Sequence, residues 1–176
     1  MGLRPARIYR NMDEKRPYTR RAIKVHKKNF IKGVPGMKLK LFEMGTKKKY
    51  DVCLSLYVKN NVNIRHNALE AARVASNSYM KKKTNFFFLK VVVFPHHILR
   101  EHAQAAIAQA DRFYQGMAHP FGKPKSTAAR VHKTTPVIKL YVDKSYLEDA
   151  KTALKRAGMK LPASTRISVE TVSPVV

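Results

Sequence analysis

The order of apolar and polar positions along this chain of 176 residues predicts strands that alternate with two principal helices. Val52–Val58 is a nearly continuous apolar run, and residues 85–94 combine aromatic with β-branched side chains, as strands do. Residues 67–82 repeat small and apolar positions at helical spacing and end in lysines, which complement the negative end of a helix. Further strands are predicted at 37–42, 129–132, 137–142 and 166–172.

The second helix is predicted from a start signal and an apolar stripe. Ser145 and Glu148 have the spacing of a capping box, with Ser145 as the N-cap, and Gly158 is a typical end. The stripe consists of Leu147, Ala150, Leu154 and Ala157. Strand–helix–strand therefore occurs twice, which predicts an α+β fold: a two-layer sandwich of mainly antiparallel strands with two principal helices.

Residues 95–127 are predicted to be a connection between these two units. The first part is rich in alanine and has helix propensity, but it carries too little apolar bulk to anchor itself. The second part is interrupted by glycine and proline. A connection this long inside a compact domain is usually functional or disordered.

The charge of the chain points to a polyanionic partner. There are 36 Lys+Arg against 11 Asp+Glu, a formal net charge of +25, while 44% hydrophobic residues are enough for a core. Repulsion between so many like charges destabilises a compact protein unless a polyanion neutralises them. Nucleic acid is favoured over an anionic membrane, because no amphipathic helix here has a large apolar face and no apolar stretch is long enough to span a bilayer.

The charge is concentrated at the start of the chain. Residues 1–50 hold 16 Lys+Arg and 3 acids, and proline interrupts any helix there. We therefore expect a basic arm at 1–35 that orders on a phosphate surface, with Tyr9 and Tyr18 stacking on bases, and a single α+β domain at 36–176. The alternative is a solvated tail.

The sequence offers no set of residues for catalysis, for a metal or for a cofactor. Cys53 lies within an apolar run and is typical of a small buried hydrophobe. His96, His97 and His102 lack the spacing and the partners of metal ligands, and contacts with phosphate or backbone are favoured. Residues 116–124 resemble a phosphate loop, but the spacing is one residue too long and Pro124 replaces the Ser or Thr. We expect a protein that is not an enzyme.

Arg65, His66 and Asn67 stand at the start of the first predicted helix. The free N–H groups and positive dipole end of a helix attract phosphate, so these residues suit an anion site. The alternative is that Asn67 caps the helix, and both interpretations are compatible.

Several segments, in order along nearly the whole chain, resemble one family. They are MGLRPARIYR at 1–10, PYTR at 17–20, IRHNALEAAR at 64–73, PHHILRE at 95–101, ADRF at 110–113, FGKP at 121–124, TAARV at 127–131 and MKLP at 159–162. They are similar to the universal large-subunit ribosomal protein L-sixteen family, in its archaeal–eukaryotic L-ten-e branch. The chain ends without the longer tail of eukaryotic members, which favours an archaeal source.

The resemblance implies a hammerhead-like α/β fold and a structural constituent of the cytoplasmic large ribosomal subunit. Such proteins bind large-subunit rRNA between the peptidyl transferase region and the elbow of A-site tRNA. A flexible loop, expected here at about 98–120, extends toward the P-site tRNA end. Other partners are neighbouring large-subunit proteins and, in eukaryotes, an export adaptor that monitors assembly.

The residues expected at these contacts form two sets. The rRNA-binding set is Arg4, Arg7, Arg10, Tyr18, Arg20, Arg21, Lys24, Arg65, His66, Asn67, Arg73, Lys81, Lys82, Lys83, Lys123, Arg130 and Lys133. The tRNA-proximal set is Arg100, His102, Gln104, Gln109, Asp111 and Arg112. Two rival functions are a basic RNA-modifying enzyme, for which no glycine-rich cofactor turn is present, and a general chromatin or single-strand binder.

Overall fold

The computed structural model describes residues 4–12, 18–19, 31, 33–101 and 122–171. Within these residues the chain forms two antiparallel sheets and two long helices, in agreement with the α+β prediction. The first sheet has five strands in the order β1-β4-β7-β2-β8. These strands are β1 (Glu43–Gly45), β2 (Val52–Val58), β4 (Phe88–Val91), β7 (Pro136–Val142) and β8 (Thr165–Thr171).

The second sheet has three strands in the order β3-β6-β5. They are β3 (Val62–Arg65), β5 (His97–Glu101) and β6 (Lys123–Val131). The first two were not predicted from the sequence. β5 and β6 pair in antiparallel register, Glu101 opposite Lys123, so they form a hairpin whose connection leaves from one end of the sheet.

The two helices pack against each other and against the sheets. Helix α1 spans His66–Lys81 and helix α2 spans Leu147–Gly158, close to the predicted bounds. Leu69 and Ala72 of α1 and Leu154 of α2 are fully buried with the inward residues of β2 and β7, such as Leu54 and Leu140, in one core. Burial of this apolar surface is the main stabilising contribution to the fold.

Three strand predictions need correction. Residues 37–42 form no strand: Leu39 is buried but Leu41 is exposed, and the register with β4 begins at Glu43. The strand predicted at 85–94 is limited to β4, because only Phe88–Val91 are in register with β1 and β7. Residues 97–101 and 123–127, predicted to belong to the connection, are strand residues, because the hairpin supplies partners that the local pattern did not reveal.

The capping box predicted at Ser145 is absent. A 3-10 turn, Lys144–Tyr146, precedes α2, so Ser145 lies inside a turn and Tyr146 takes the N-cap position without a side-chain hydrogen bond. Gly158 is the last residue of α2 and does not adopt the left-handed conformation. Glycine is required there by proximity, because a Cβ would lie 2.5 Å from the Oγ1 atom of Thr165.

His66 joins the segment before β1 to the start of α1. Its Nδ1 accepts a hydrogen bond of 3.1 Å from the backbone N–H of Lys38, and only 7% of the residue is exposed. Burial, followed by the charges of Lys38 and Arg65, lowers the pKa of this imidazole from its ordinary 6.5. The folded state therefore favours neutral His66.

We expect substitution of Gly45 to destabilise the fold. Gly45 has φ +91°, and a Cβ on it would lie 2.0 Å from the carbonyl oxygen of Phe87. Backbone strain of this kind costs about 1–3 kcal/mol, so Gly45→Ala should lower the free energy of unfolding in urea by at least that amount. Gly36→Ala is the matched control, because nothing lies within 4 Å of its added Cβ. A Gly45→Ala variant as stable as Gly36→Ala would contradict the described geometry.

Acid should weaken the wild-type fold more than that of His66→Gln. In the unfolded state His66 binds a proton below about pH 6.5, whereas the folded state disfavours the protonated form. The contribution of neutral His66 to the free energy of unfolding is therefore complete above pH 6.5 and declines as the pH falls toward the lower folded pKa. Between pH 7.5 and 5.5 the wild type should lose up to about 1.4 kcal/mol more than the variant in urea unfolding. Equal losses would show that the imidazole is not held neutral.

Candidate nucleic-acid interface

The N-terminal segment 4–12 lies along the free edge of β3. Asn11 forms a bridge with Val62, and the backbone N–H of Asn63 donates to the carbonyl of Arg10 at 2.8 Å. The Asn63 amide nitrogen also donates to the carbonyls of Tyr9 (3.1 Å) and Asn11 (2.8 Å). The sequence predicted an arm that orders on a phosphate surface, whereas these residues are already ordered against β3 by protein contacts. The division of the chain at residue 35 stays a prediction.

Two residues of this segment and two of the three-stranded sheet form a cluster, called here the Glu101 cluster: Arg4, Tyr9, Arg65 and Glu101. The Tyr9 hydroxyl donates to the Glu101 carboxylate, which also pairs with Arg4 at 3.7 Å. Arg65 donates to the Arg4 carbonyl at 2.8 Å, and its guanidinium lies 5.7 Å from the Tyr9 ring centre. Burial and then the Glu101 contact raise the pKa of Tyr9. Tyr9 therefore ties the segment to β5, which is a different use from the base stacking predicted for it.

The Glu101 cluster stands at the end of the β5–β6 hairpin, next to a second aromatic contact. The Arg100 guanidinium lies 3.8 Å from the ring centre of Tyr18. The backbone of Tyr18 is fixed as well: its N–H donates to Nδ1 of His97 at 2.9 Å, and its carbonyl accepts from Ile98 at 2.8 Å. Lys123, opposite Glu101, is exposed. The structure thus brings Arg100, Tyr18, Arg4 and Lys123 to one end of the small sheet.

Eight of the predicted contact residues lie outside the described residues. They are Arg20, Arg21, Lys24, His102, Gln104, Gln109, Asp111 and Arg112.

The start of α1 uses its three predicted residues in three ways. Arg65 occupies the N-cap position without a side-chain cap, and its side chain belongs to the Glu101 cluster. His66 is buried against the Lys38 backbone. Asn67 lies within the first turn, where its Oδ1 accepts from the N–H of Ala68 at 3.0 Å, so it is not the N-cap residue.

The remaining predicted cations differ in how much charge they present. Arg73 forms two hydrogen bonds with Glu70, and this contact raises its pKa, so its charge is balanced within the helix. Lys81, Lys82 and Lys83 are exposed at the end of α1, with Lys83 3.6 Å from Asp149. On the small sheet, half-buried Arg130 pairs with Asn63 in register, and exposed Lys133 follows β6.

Most carboxylates in the described part of the chain have partners within the protein. Six of them form ion pairs with Lys or Arg. Glu43 contacts both Lys47 and Lys90, which hold the pKa of its carboxyl below the usual range. The acids thus offset part of the positive charge locally and leave the excess at the surface.

Sequence reasoning missed one group of polar residues beside this interface. Asn60 and Asn61 follow β2, and Lys160 follows α2; together with Arg10 and Arg65 they surround the loop that contains Leu161 and Pro162. The Asn60-Asn61 pair between two apolar runs was the available signal. Its meaning depended on the fold, which brings residues 60–61 and 160 together.

No described helix is long and apolar enough to cross a membrane. Among the described residues, no group of three His, Cys, Asp or Glu side chains has the proximity of a metal site. Cys53 is buried, as predicted.

Comparison with known proteins identifies relatives across nearly the entire chain. The family model described as "Ribosomal protein L16p/L10e" matches residues 15–168. The large ribosomal subunit protein uL16 of Archaeoglobus fulgidus is 45% identical over 97% of this chain and 94% of its own length. Its counterpart in Staphylothermus marinus is 45% identical over 99% and 97%, and that of Methanosphaerula palustris is 43% identical over 98% and 96%. The chain therefore belongs to the L16p/L10e family of ribosomal proteins, in its archaeal branch.

Proposed function

We propose that this chain binds large-subunit rRNA near the peptidyl transferase region and the elbow of A-site tRNA, and that it supports the positioning of tRNA during translation. As a member of a ribosomal protein family, it is a structural protein of the cytoplasmic large ribosomal subunit and not an enzyme. Its partners at that level are rRNA and other large-subunit proteins.

The observation that carries the rRNA contact is the unbalanced charge of the folded surface. The chain has a net charge of +25, and the described carboxylates that form ion pairs already have their cations inside the protein. The exposed lysines and arginines that remain are available for phosphates. Each phosphate contact releases condensed counterions, which drives binding to a polyanion.

Two basic surfaces lie at opposite ends of α1. Arg7, Arg10 and Arg65 are near its start, and the lysine run 81–83 is at its end. A helix of 16 residues is about 24 Å long, since each residue adds about 1.5 Å. The two surfaces are therefore suited to separate rRNA elements, with the folded body as a spacer of fixed length.

Not every residue of the rRNA-binding set is assigned a phosphate in this proposal. Arg73 is balanced by Glu70 and His66 is buried and neutral, so both act by positioning their neighbours. Asn67 lines the same cavity as Arg65, and Lys123 and Arg130 belong to β6, which Lys133 follows. These four residues keep their proposed contacts. The proposed rRNA contacts of Arg20, Arg21 and Lys24 rest only on the positive charge of these residues.

The tRNA contact is proposed for the segment 102–121, which leaves from the end of the β5–β6 hairpin. Its base is held by the Glu101 cluster and by the Tyr18–Arg100 contact, so the point of departure is fixed relative to the rRNA-bound arm. Arg100, His102, Gln104, Gln109, Asp111 and Arg112 are the proposed tRNA-proximal residues, facing A-site and P-site tRNA. An assembly or export adaptor is a further proposed partner.

Charge reversal at Arg7 and Arg10 should prevent stable incorporation into the large subunit. Both side chains are exposed, so the double change Arg7→Glu/Arg10→Glu leaves the backbone contacts of segment 4–12 in place. Loss of two phosphate contacts should also lower the slope of log affinity against log salt by roughly two. The measurement is the fraction of protein that sediments with large subunits at several salt concentrations.

The matched control is Lys49→Glu/Lys155→Glu, which changes the net charge equally at two exposed sites outside the proposed set. Incorporation of the Arg7/Arg10 variant at the level of this control would contradict the assignment of segment 4–12 to rRNA.

Arg112→Ala should impair translation more than assembly, because the proposed role of Arg112 is near tRNA and not in anchoring the protein. We expect near-normal amounts of the variant in large subunits but slower accommodation of A-site tRNA, followed by stopped-flow fluorescence of labelled tRNA. Accommodation at the wild-type rate, or a loss of incorporation equal to that of the Arg7/Arg10 variant, would refute this role.

A further inference from the structure

Two cavities lie on either side of Leu161 and Pro162, which line both. The larger, of about 480 Å³, is bounded by Arg10, Asn11, Asn60, Asn61 and Ser164. The smaller, of about 290 Å³, is bounded by Arg65, Asn67, Lys160 and Asn63. No carboxylate lines either cavity. The larger volume is within the roughly 300–1,000 Å³ range of small-ligand pockets.

The larger cavity combines amide groups with a cation at its rim. The Asn60 side chain makes no hydrogen bond to the described residues, and Asn61 uses its Oδ1 to accept from the backbone N–H of Lys133 at 2.9 Å. An amide carries donors and an acceptor side by side, the pattern that pairs with the edge of a nucleobase. Arg10 is exposed beside them.

The smaller cavity is cationic and contains an unsatisfied acceptor in its wall. Arg65 and Lys160 supply the positive charge. Asn63 is 7% exposed; its amide nitrogen donates to two carbonyls, whereas its Oδ1 has no hydrogen-bond partner among the described residues. A buried acceptor without a partner is unfavourable, so Asn63 adds an energetic cost to this part of the fold.

Both cavities have walls that are fixed before any ligand arrives. The backbone N–H of Asn63 donates to Arg10 at 2.8 Å, that of Lys59 donates to Ser164 at 2.9 Å, and that of Leu161 donates to Gly158 at 3.0 Å. A site with a rigid frame loses little conformational entropy on binding. The frame also fixes the separation between the amide cavity and the cationic one.

We propose that these two cavities bind one unstacked nucleotide of rRNA, with the base edge against Asn60 and Asn61 and an adjacent phosphate between Arg65 and Lys160. The inference rests on the proposed rRNA binding and adds a specific subsite to it. Amides that suit the edge of a base and cations that suit a phosphate match two of the three parts of a nucleotide. Sequence-specific RNA recognition commonly uses unstacked bases of this kind.

The test uses large subunits depleted of this protein and reconstituted with the full-length chain. Asn60→Ala removes the amide of the larger cavity, and Lys160→Ala removes the cation of the smaller one. Both residues are exposed, and thermal unfolding of each variant checks its fold. The control is Asn85→Ala, which removes an exposed amide that lines neither cavity. Bases are probed with dimethyl sulfate and a carbodiimide, and results are normalised to the protein content of each particle.

We expect one unpaired base to be protected in wild-type particles and to become roughly tenfold more reactive with Asn60→Ala, within the roughly 5- to 160-fold range that corresponds to one base-specific contact. The same nucleotide should respond to Lys160→Ala and not to Asn85→Ala. If the protein is incorporated but no nucleotide responds to both variants, the subsite is refuted while the proposed function stands. Cross-linking of this loop to a neighbouring protein, with no base affected, would refute it equally. If wild-type protein is not incorporated at all, the proposed function fails and the subsite fails with it.

Discussion

Electrostatic repulsion is the constraint on which this structure depends. A net charge of +25 on 176 residues destabilises any compact state through repulsion between like charges. The fold reduces this repulsion by placing carboxylates beside cations, as in Glu43 with Lys47 and Lys90. These partly exposed pairs contribute little stability individually, about 0–1 kcal/mol each. What opposes the repulsion inside the protein is therefore the apolar core between helices and sheets, and what removes it is a polyanion outside.

The same constraint explains why part of the basic N-terminal region is folded. Segment 4–12 lies beside the free edge of β3, where Asn11 bridges to Val62. Arg4 and Tyr9 of this segment both contact the carboxylate of Glu101 at the end of β5. One acid thus anchors a basic segment whose other arginines, Arg7 and Arg10, remain exposed. The same nine residues cover the edge of β3 and present Arg7 and Arg10 to solvent. The stability of the three-stranded sheet is therefore linked to the proposed binding surface.

Sequence patterns predicted the elements that have their own apolar signal and missed those defined by pairing. β2, β7, β8 and both helices were found because long apolar runs or helical spacing are local properties. β3 and β5 are short, and only the antiparallel register with β6 makes them strands. The capping box failed because a 3-10 turn at Lys144–Tyr146 took its place. At the candidate interface, charge and family motifs predicted the cations, but the internal contacts of His66, Arg73 and Tyr9 depend on the tertiary structure, which composition does not contain.

The most direct test of the central claim is sedimentation of the tagged protein through a density gradient at low and raised salt. A protein held by six to ten phosphate contacts alone loses roughly 10³–10⁵ in affinity between 50 and 200 mM salt. Our account combines the charge with a folded surface shaped for rRNA, so it predicts co-migration with the large subunit after generic basic binders have been released. Movement of the protein to the top of the gradient together with those binders would contradict it.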